Sequence, residues 1–287
     1  MARTREERRA DPALGYTKPG TYEELLAVLT AGTAKLSRRS QEVAVHISQH
    51  PDEVALASIS EVAMAAGVQP SALVRFAQAF GFSGWSELQD LFKAHLRGGF
   101  AGTRRGSETE LPERLGGLVG AAQASLAKLP ETLDPIAFDR VADALAASPS
   151  ITLIGSKRAF PVTAYLSFTL SQHGVRNGLV DNIGSGAFDQ VGCLGPGDGV
   201  LAVSFSPYNS ITPELAALAR ERGARLVAVT DSPLSPLVPL SEASLVVVEK
   251  AEAGYRTLAA TMVVALALAV EVAARRPRPI RGAEPGR

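Results

Sequence analysis

The sequence predicts an α + α/β protein: an all-helical N-terminal domain, then an α/β domain built on a five-stranded parallel sheet. Three observations carry this. The chain has 287 residues, enough for about two domains. Helical periodicity dominates residues 22–96. From Ile151 onward, short apolar runs alternate with longer helical segments, which requires crossover connections and hence a parallel sheet covered on both faces.

Composition narrows the class. The chain is 46% hydrophobic and 20% charged, so it can bury a core. Lys+Arg 29 balances Asp+Glu 29. That excludes a polybasic tail, and any nucleic-acid site must be a local patch. The one cysteine, Cys193, excludes a disulfide framework and a cysteine-ligated zinc site. His46 and His50 are four apart, but Ile47-Ser48-Gln49 separate them with no acidic residue, and Pro51 follows at once. They read as a helix end, and neither metal nor cofactor is expected. The N-terminus lacks the apolar run of a secretory signal, and the apolar stretch Leu258 to Val270 is too short to span a bilayer. The expectation is a soluble, cytoplasmic protein with no membrane partner.

In chain order, residues 1–20 read as a flexible arm and 21–97 as the helical domain. Residues 98–112 have a linker's Gly, Thr and Glu content. The α/β domain spans 113–277, and 278–287 is a tail. Two helical patterns fill 113–147, the second started by Asp134-Pro135. Strands are expected at 151–155, 175–180, 199–205, 224–230 and 243–249, with helices near 158–173, 211–222 and 255–274. In such sheets, ligands bind where strand carboxyl ends meet helix N-termini.

Residues 58–80 have the spacing of a helix-turn-helix. Ala63 is small where a second helix must cross. Gly67 permits a tight turn, and Val68 fills the corner. Leu73, Phe76, Ala77 and Phe80 seat the second helix on the core. Its other face carries Ser71, Arg75 and Gln78. Arg and Gln make bidentate contacts with base edges. Gln69, Ser71, Ala72, Arg75 and Gln78 are therefore the candidates for DNA, with Ser58 and Ser60 at the first helix N-terminus for phosphate. The plain alternative is a three-helix packing unit with Arg75 in a structural ion pair.

The wider segment 36–88 resembles the N-terminal domain of the RpiR family of bacterial transcriptional regulators. The resemblance rests on His50-Pro51-Asp52, S-I-S-E-V-A (58–63), A-G-V (66–68), V-R-F (74–76) and G-F-S-G (81–84). It implies operator binding as a dimer.

Two loops of the second domain suit an anion. Gly155-Ser156-Lys157-Arg158 follows the first strand: a glycine for a sharp turn, a serine N-cap, free helix N–H groups and two bases. After the third strand, Ser204, Ser206, Tyr208, Asn209 and Ser210 cluster before Thr212-Pro213, where Thr212 reads as an N-cap. Residues 151–249 resemble the sugar isomerase (SIS) domain, a Rossmann-like unit that RpiR regulators carry second. The signals are Gly155-Ser156, G-P-G-D (195–198), the S-x-S loop at 204–206 and R-G-A-R-L-V-A-V-T-D-S-P-L-S-P-L (222–237). The resemblance implies a phosphosugar held by loops 155–158 and 204–209. The usual S-x-S-G-x-T is here S-F-S-P-Y-N. Pro207 removes a backbone N–H and Asn209 replaces a hydroxyl, so the ligand class widens to phosphosugars, sugar acids or similar small anions.

Sugar-phosphate isomerisation needs a base beside the substrate carbonyl, and Glu252 is the one candidate. With a DNA-binding module attached, a sensor is favoured over an enzyme, and no catalytic residue is assigned. A third reading makes the α/β domain only a dimeriser, through Met262, Val263, Leu266 and Val270 on one face of the last helix. The expected partners are operator DNA, a small anionic metabolite and further copies of the chain, as dimer or tetramer.

Overall fold

The computed structural model describes residues 18–32, 36–105 and 111–276. The arm up to residue 17, residues 106–110 and the tail from 277 lie outside the described residues.

The helical domain contains α1 (Tyr22–Gly32), α2 (Arg38–Gln49), α3 (Pro51–Leu56), α4 (Ile59–Ala65), α5 (Pro70–Ala79) and α6 (Trp85–Arg105). Its core gathers Leu25, Leu29, Ile47, Leu73, Phe76, Leu88 and Phe92, all fully buried or nearly so. Ser37 caps α2 by accepting the Ser40 N–H. Ser58 and Glu61 form a reciprocal capping box on α4. Residues 18–20 are less free than an arm. Pro19 is buried, and Lys18 pairs with Glu87 of α6 and lies over the Phe82 ring.

The expected linker is a second correction. Helix α6 continues to Arg105, and α7 (Leu111–Thr132) begins soon after. Glycines at 98, 99 and 102 cost a helix about 1 kcal/mol each against alanine, yet the packed N-terminal half of α6 propagates through them.

After α7 and α8 (Pro135–Ala146), the second domain runs β1 (Ile151–Gly155), α9 (Phe160–Gln172), β2 (Asn177–Val180), α10 (Ala187–Gly192), β3 (Gly199–Ser204), α11 (Ile211–Glu221), β4 (Arg225–Thr230) and β5 (Ala243–Val246). The five strands are parallel, in the order β2-β1-β3-β4-β5. Alternate residues serve opposite faces. Leu153, Val203, Val229 and Leu245 meet α8, α9 and α12 (Ala259–Arg275), while Ile154, Ala202 and Ala228 meet α10 and α11. Burial on both faces explains the unbroken apolar runs.

The chain order reverses between β1 and β3, so their carboxyl ends flank a crevice. The last helix starts later than its pattern predicts. Ala253 and Gly254, with φ of 48° and 84°, turn a short hairpin of β6 (Ala251–Glu252) and β7 (Tyr255–Arg256). Glu249 then caps α12 by accepting from the Thr261 N–H and hydroxyl at 2.8 and 2.9 Å.

Candidate functional site

In the helical domain, α4 and α5 are joined by a tight turn at Gly67, whose φ is +67°. Ala63 is buried beneath the crossing, and Val68 fills the corner. Pro70 opens α5, and Gln69 makes no side-chain cap. Leu73, Phe76, Ala77 and Phe80 face inward, while Gln69, Ser71, Arg75 and Gln78 are exposed on the other side and Ala72 is half-buried. A groove of about 230 Å³ is lined by Arg39, Met64, Gly67, Gln69, Ala72 and Arg75. Arg39 reaches the Gly67 carbonyl at 3.5 Å, placing a second guanidinium over the turn. Ser60 is exposed. Ser58 is also exposed, but its oxygen caps α4, a role readable in the S-x-x-E spacing of 58–61.

In the α/β domain, a cavity of about 520 Å³ opens at the crevice between β1 and β3. Gly155, Ser156, Lys157, Asp181, Asn209 and Thr212 are among its walls. An adjoining space of about 210 Å³ shares Ser156, Lys157 and Asn209 and adds Arg158 and Ser204. The geometry corrects three local readings. Gly155 has no left-handed backbone; a Cβ there would lie 2.8 Å from Thr163 Cγ2, so the glycine permits close packing of α9 on β1. Ser156 makes no side-chain cap, because a short 3-10 turn at Lys157–Ala159 intervenes before α9. Its hydroxyl instead meets that of Thr212 at 2.9 Å. Thr212 is accordingly no N-cap: it lies buried inside the first turn of α11 and ties the two loops together.

Lys157 takes φ 51°, the left-handed region that side chains avoid. Arg158 is half-buried, and its buried Nη2 has no hydrogen-bond partner among the described residues. Its guanidinium lies 5.9 Å from the Phe205 ring centre. Burial, and then repulsion from Arg256, pushes its pKa below the usual arginine range, while Asp231 and Tyr208 oppose that shift. A half-buried cation with an unused donor is suited to an incoming anion.

The structure divides the second loop. Asn209 faces the cradle, and its Oδ1 accepts the Ile211 N–H at 3.0 Å. Ser210 is exposed and makes no cap. Ser206 and Tyr208 turn the other way. They line a separate cavity between the domains, and the Tyr208 hydroxyl donates to Asp231 at 2.9 Å. Burial, reinforced by Asp231, raises the Tyr208 pKa far above the ordinary phenol value. Sequence reasoning missed Asp181 and Asn182 after β2; the Asp-Asn pair closing the apolar run was the available signal, since Asn tolerates the left-handed φ of 58° found at Asn182. Glu252 is placed away from the cradle. Its carboxyl lies over Gly117 of α7, where a Cβ would come within 2.9 Å, because the β6–β7 hairpin packs on that helix.

The helix-turn-helix domain model of the rpiR family matches residues 23–101, and the SIS domain model matches residues 144–271. The chain belongs to the RpiR family. It is a helix-turn-helix transcriptional regulator carrying a SIS domain. The HTH-type transcriptional regulator HexR of Pseudomonas aeruginosa is 27% identical over 222 residues, 74% of this chain and 76% of HexR. The Vibrio vulnificus NanR protein complexed with ManNAc-6P is 22% identical, over 87% of this chain and 90% of its own, with a TM-score of 0.52. The sugar isomerase domain of an RpiR transcription factor from Sphaerobacter thermophilus is 24% identical, over 59% of this chain and 93% of its own, with a TM-score of 0.54. These two structures attest the regulator's fold. Among the described residues, no helix is long and apolar enough to cross a membrane, and no cluster of three or more His, Cys, Asp or Glu is placed to hold a metal ion.

Proposed function

We propose that the regulator binds a palindromic operator through α5 and senses a small hydroxylated anion, a phosphosugar or sugar acid, in the crevice between β1 and β3. One observation carries the reading. The crevice pairs a cationic end, Lys157 and Arg158, with a carboxylate, Asp181. The first suits a phosphate or carboxylate, and the second accepts hydrogen bonds from hydroxyls. NanR, of the same fold, is complexed with a phosphosugar, which agrees with this class. A sensing role is favoured over isomerisation because Glu252 rests on α7.

On this proposal, Gln69, Ser71, Ala72, Arg75 and Gln78 face the major groove, with Ser58 and Ser60 near phosphate. The operating unit is a homodimer. Helix α12 buries Val264, Leu268 and Val272 on its own sheet but leaves Val263, Leu266 and Val270 exposed at 47%, 40% and 45%. Leu115 and Val119 are likewise exposed on α7, which packs against α12. Ligand acts by preferring one dimer arrangement and so changing the spacing of the two α5 helices.

The test is fluorescence anisotropy with the chain's own promoter region at low ionic strength, with and without a panel of sugar phosphates and sugar acids. Thermal shift identifies which of the panel binds. The reading predicts nanomolar-class binding altered at least fivefold by one compound. Failure to bind that DNA under every condition overturns it.

A further inference from the structure

Two loops leave the carboxyl edge of the sheet side by side, 204–210 after β3 and 231–237 after β4. One carboxylate joins them. Asp231 accepts the Ser206 N–H on both oxygens, at 3.2 and 3.0 Å, and the Tyr208 hydroxyl at 2.9 Å. Arg256 of β7 forms an ion pair with it. The Asp231 side chain is only 8% exposed. Its neighbours on the ligand side are therefore residues of the loop that walls the cradle.

After Asp231 the chain reaches across to the helical domain at Leu234 before Leu237 returns to the α/β core. Leu234 is 3% exposed and belongs to the core of the helical domain. Gln49 of α2 donates to the Leu234 carbonyl at 2.9 Å. The hydroxyls of Thr30 on α1 and Ser232 meet at 3.3 Å. A cavity of about 650 Å³ runs along this seam, with Thr30 and Ser48 on one wall and Tyr208, Asp231 and Arg256 on the other. A loop tied through Asp231 to the one that walls the cradle thus places Leu234 in the DNA-binding domain's own core.

We infer that Asp231 and Leu234 form the coupling element through which an anion in the cradle acts on the operator-binding domain of the same chain. The inference rests on the ligand reading above. Its physics is competition. Arg158 and Arg256 repel one another, and Asp231 is the carboxylate that offsets them. An anion bound at Arg158 supplies the same negative charge from the cradle side, so Asp231 loses part of its hold on Arg256. If the anion also takes the Ser206 N–H, Asp231 loses that donor as well. The 231–237 segment then has two arrangements, with Leu234 seated in the helical core or withdrawn from it. Packed cores switch between discrete arrangements and do not deform gradually, so a small displacement at Asp231 becomes a shift of α1 and α2. Linkage makes the effect reciprocal: operator binding changes anion affinity by the same factor.

The chain supplies its own reporter. Trp85 is its one tryptophan and is buried in the helical core, in the same cluster as Leu234. The full chain is titrated with inorganic phosphate, the group common to phosphosugars. Binding is read by calorimetry, and Trp85 emission is followed in parallel. The expected result is an emission change with the same midpoint as the binding heat, both lost in Arg158→Ala. The double variant Gln49→Ala/Ser232→Ala is expected to keep phosphate affinity within twofold while its emission change falls at least fivefold. Both side chains sit at the seam, so this variant serves where Leu234→Ala fails to fold. Phosphate binding that leaves Trp85 emission unchanged overturns the coupling and spares the ligand reading. An undiminished emission change in the double variant overturns the coupling too. Absence of phosphate binding overturns the phosphosugar form of the ligand reading and the coupling argued from it.

Discussion

Ser156 at the end of β1 and Thr212 in the first turn of α11 meet hydroxyl to hydroxyl at 2.9 Å, 56 residues apart in sequence. The contact closes the crevice on one side and fixes the distance between the two loops. Thr212 is 1% exposed, so its hydroxyl has few alternatives.

Thr212→Val keeps the shape and removes the bond. A hydrogen bond of this kind contributes about 1 kcal/mol, and a stranded partner costs somewhat more. The expected outcome is a loss of about 1 kcal/mol in denaturant unfolding. Binding of the active compound in the sugar-phosphate screen should weaken severalfold. Unchanged binding would mean that the loops hold their spacing without this bridge.

Arg158 should behave in the opposite sense. Its buried Nη2 has no partner, and Arg256 repels it. Replacing an unsatisfied buried donor by an apolar group of similar shape is neutral to stabilising. Arg158→Met should therefore leave the unliganded protein as stable or up to about 2 kcal/mol more stable, while abolishing the ligand-induced rise in Tm. Thermal unfolding with and without ligand reads both quantities. A destabilised Arg158→Met would assign the guanidinium to the fold and not to a ligand.

How much of this was legible beforehand follows from the range of each interaction. The helix-turn-helix was readable because its requirements are local: a small residue at Ala63, a left-handed turn at Gly67, an apolar stripe from Leu73 to Phe80. The sheet was readable because strands buried on both faces leave unbroken apolar runs. The site was only half readable. Lys157 and Arg158 declare their charge, but nothing in the sequence says that Tyr208 turns from the cradle toward Asp231, 23 residues on. The partners of Ser156, Glu249 and Leu234 likewise depend on how distant segments pack. Gly155, at the end of β1, reads in the sequence as a turn glycine, whereas the crowding by Thr163 that requires it is a tertiary fact.

That distinction separates two glycines experimentally. Gly67 has φ +67° and open space around a would-be Cβ. Gly67→Ala should cost about 1 kcal/mol through backbone strain alone. Gly155→Ala places its Cβ 2.8 Å from Thr163 Cγ2 and 3.2 Å from the Ala159 carbonyl. It should cost more, typically about 1–3 kcal/mol for an overpacked site. Thr163→Ser removes the crowding methyl and should recover part of that loss in Gly155→Ala, but none in Gly67→Ala. Equal effects on both backgrounds would contradict the packing account.

Arg75 is exposed on α5, beside Gln69 and Ala72 in the groove that Arg39 borders. If it reads a base, Arg75→Ala should cost about 1–3 kcal/mol in operator affinity and relax sequence preference at one position. Arg39→Ala, over the turn at Gly67, should weaken binding evenly across sequences and flatten the salt dependence. Anisotropy titrations on the promoter fragment and on scrambled DNA, each at two salt concentrations, distinguish the two roles.

Acid should destabilise the helical domain through two groups that titrate in different pH windows, near 6.5 and 4.5 in the unfolded chain, which Trp85 emission can follow. His46 sits 10% exposed among α2 and α3 side chains, its ring 4.9 Å from that of His50. Burial first, then His50, lowers its pKa below 6.5, and Glu53 offsets this only in part. The folded state therefore binds a proton here less readily than the unfolded chain. The resulting stability is complete above pH 6.5 and is lost as the pH falls through the lower folded value. Glu87 acts further down. Its hydrogen bonds with Lys18 and the Ser83 N–H hold its carboxyl to about 2, against an ordinary value of 4.5. That contribution is present above 4.5 and disappears as the pH approaches 2. The pair is surface-exposed, so its share is small. His46→Gln should flatten the upper window and leave the lower one, and Glu87→Gln should do the reverse. If His46→Gln leaves the slope of stability between pH 7 and pH 5 unchanged, His46 is not the group that titrates there.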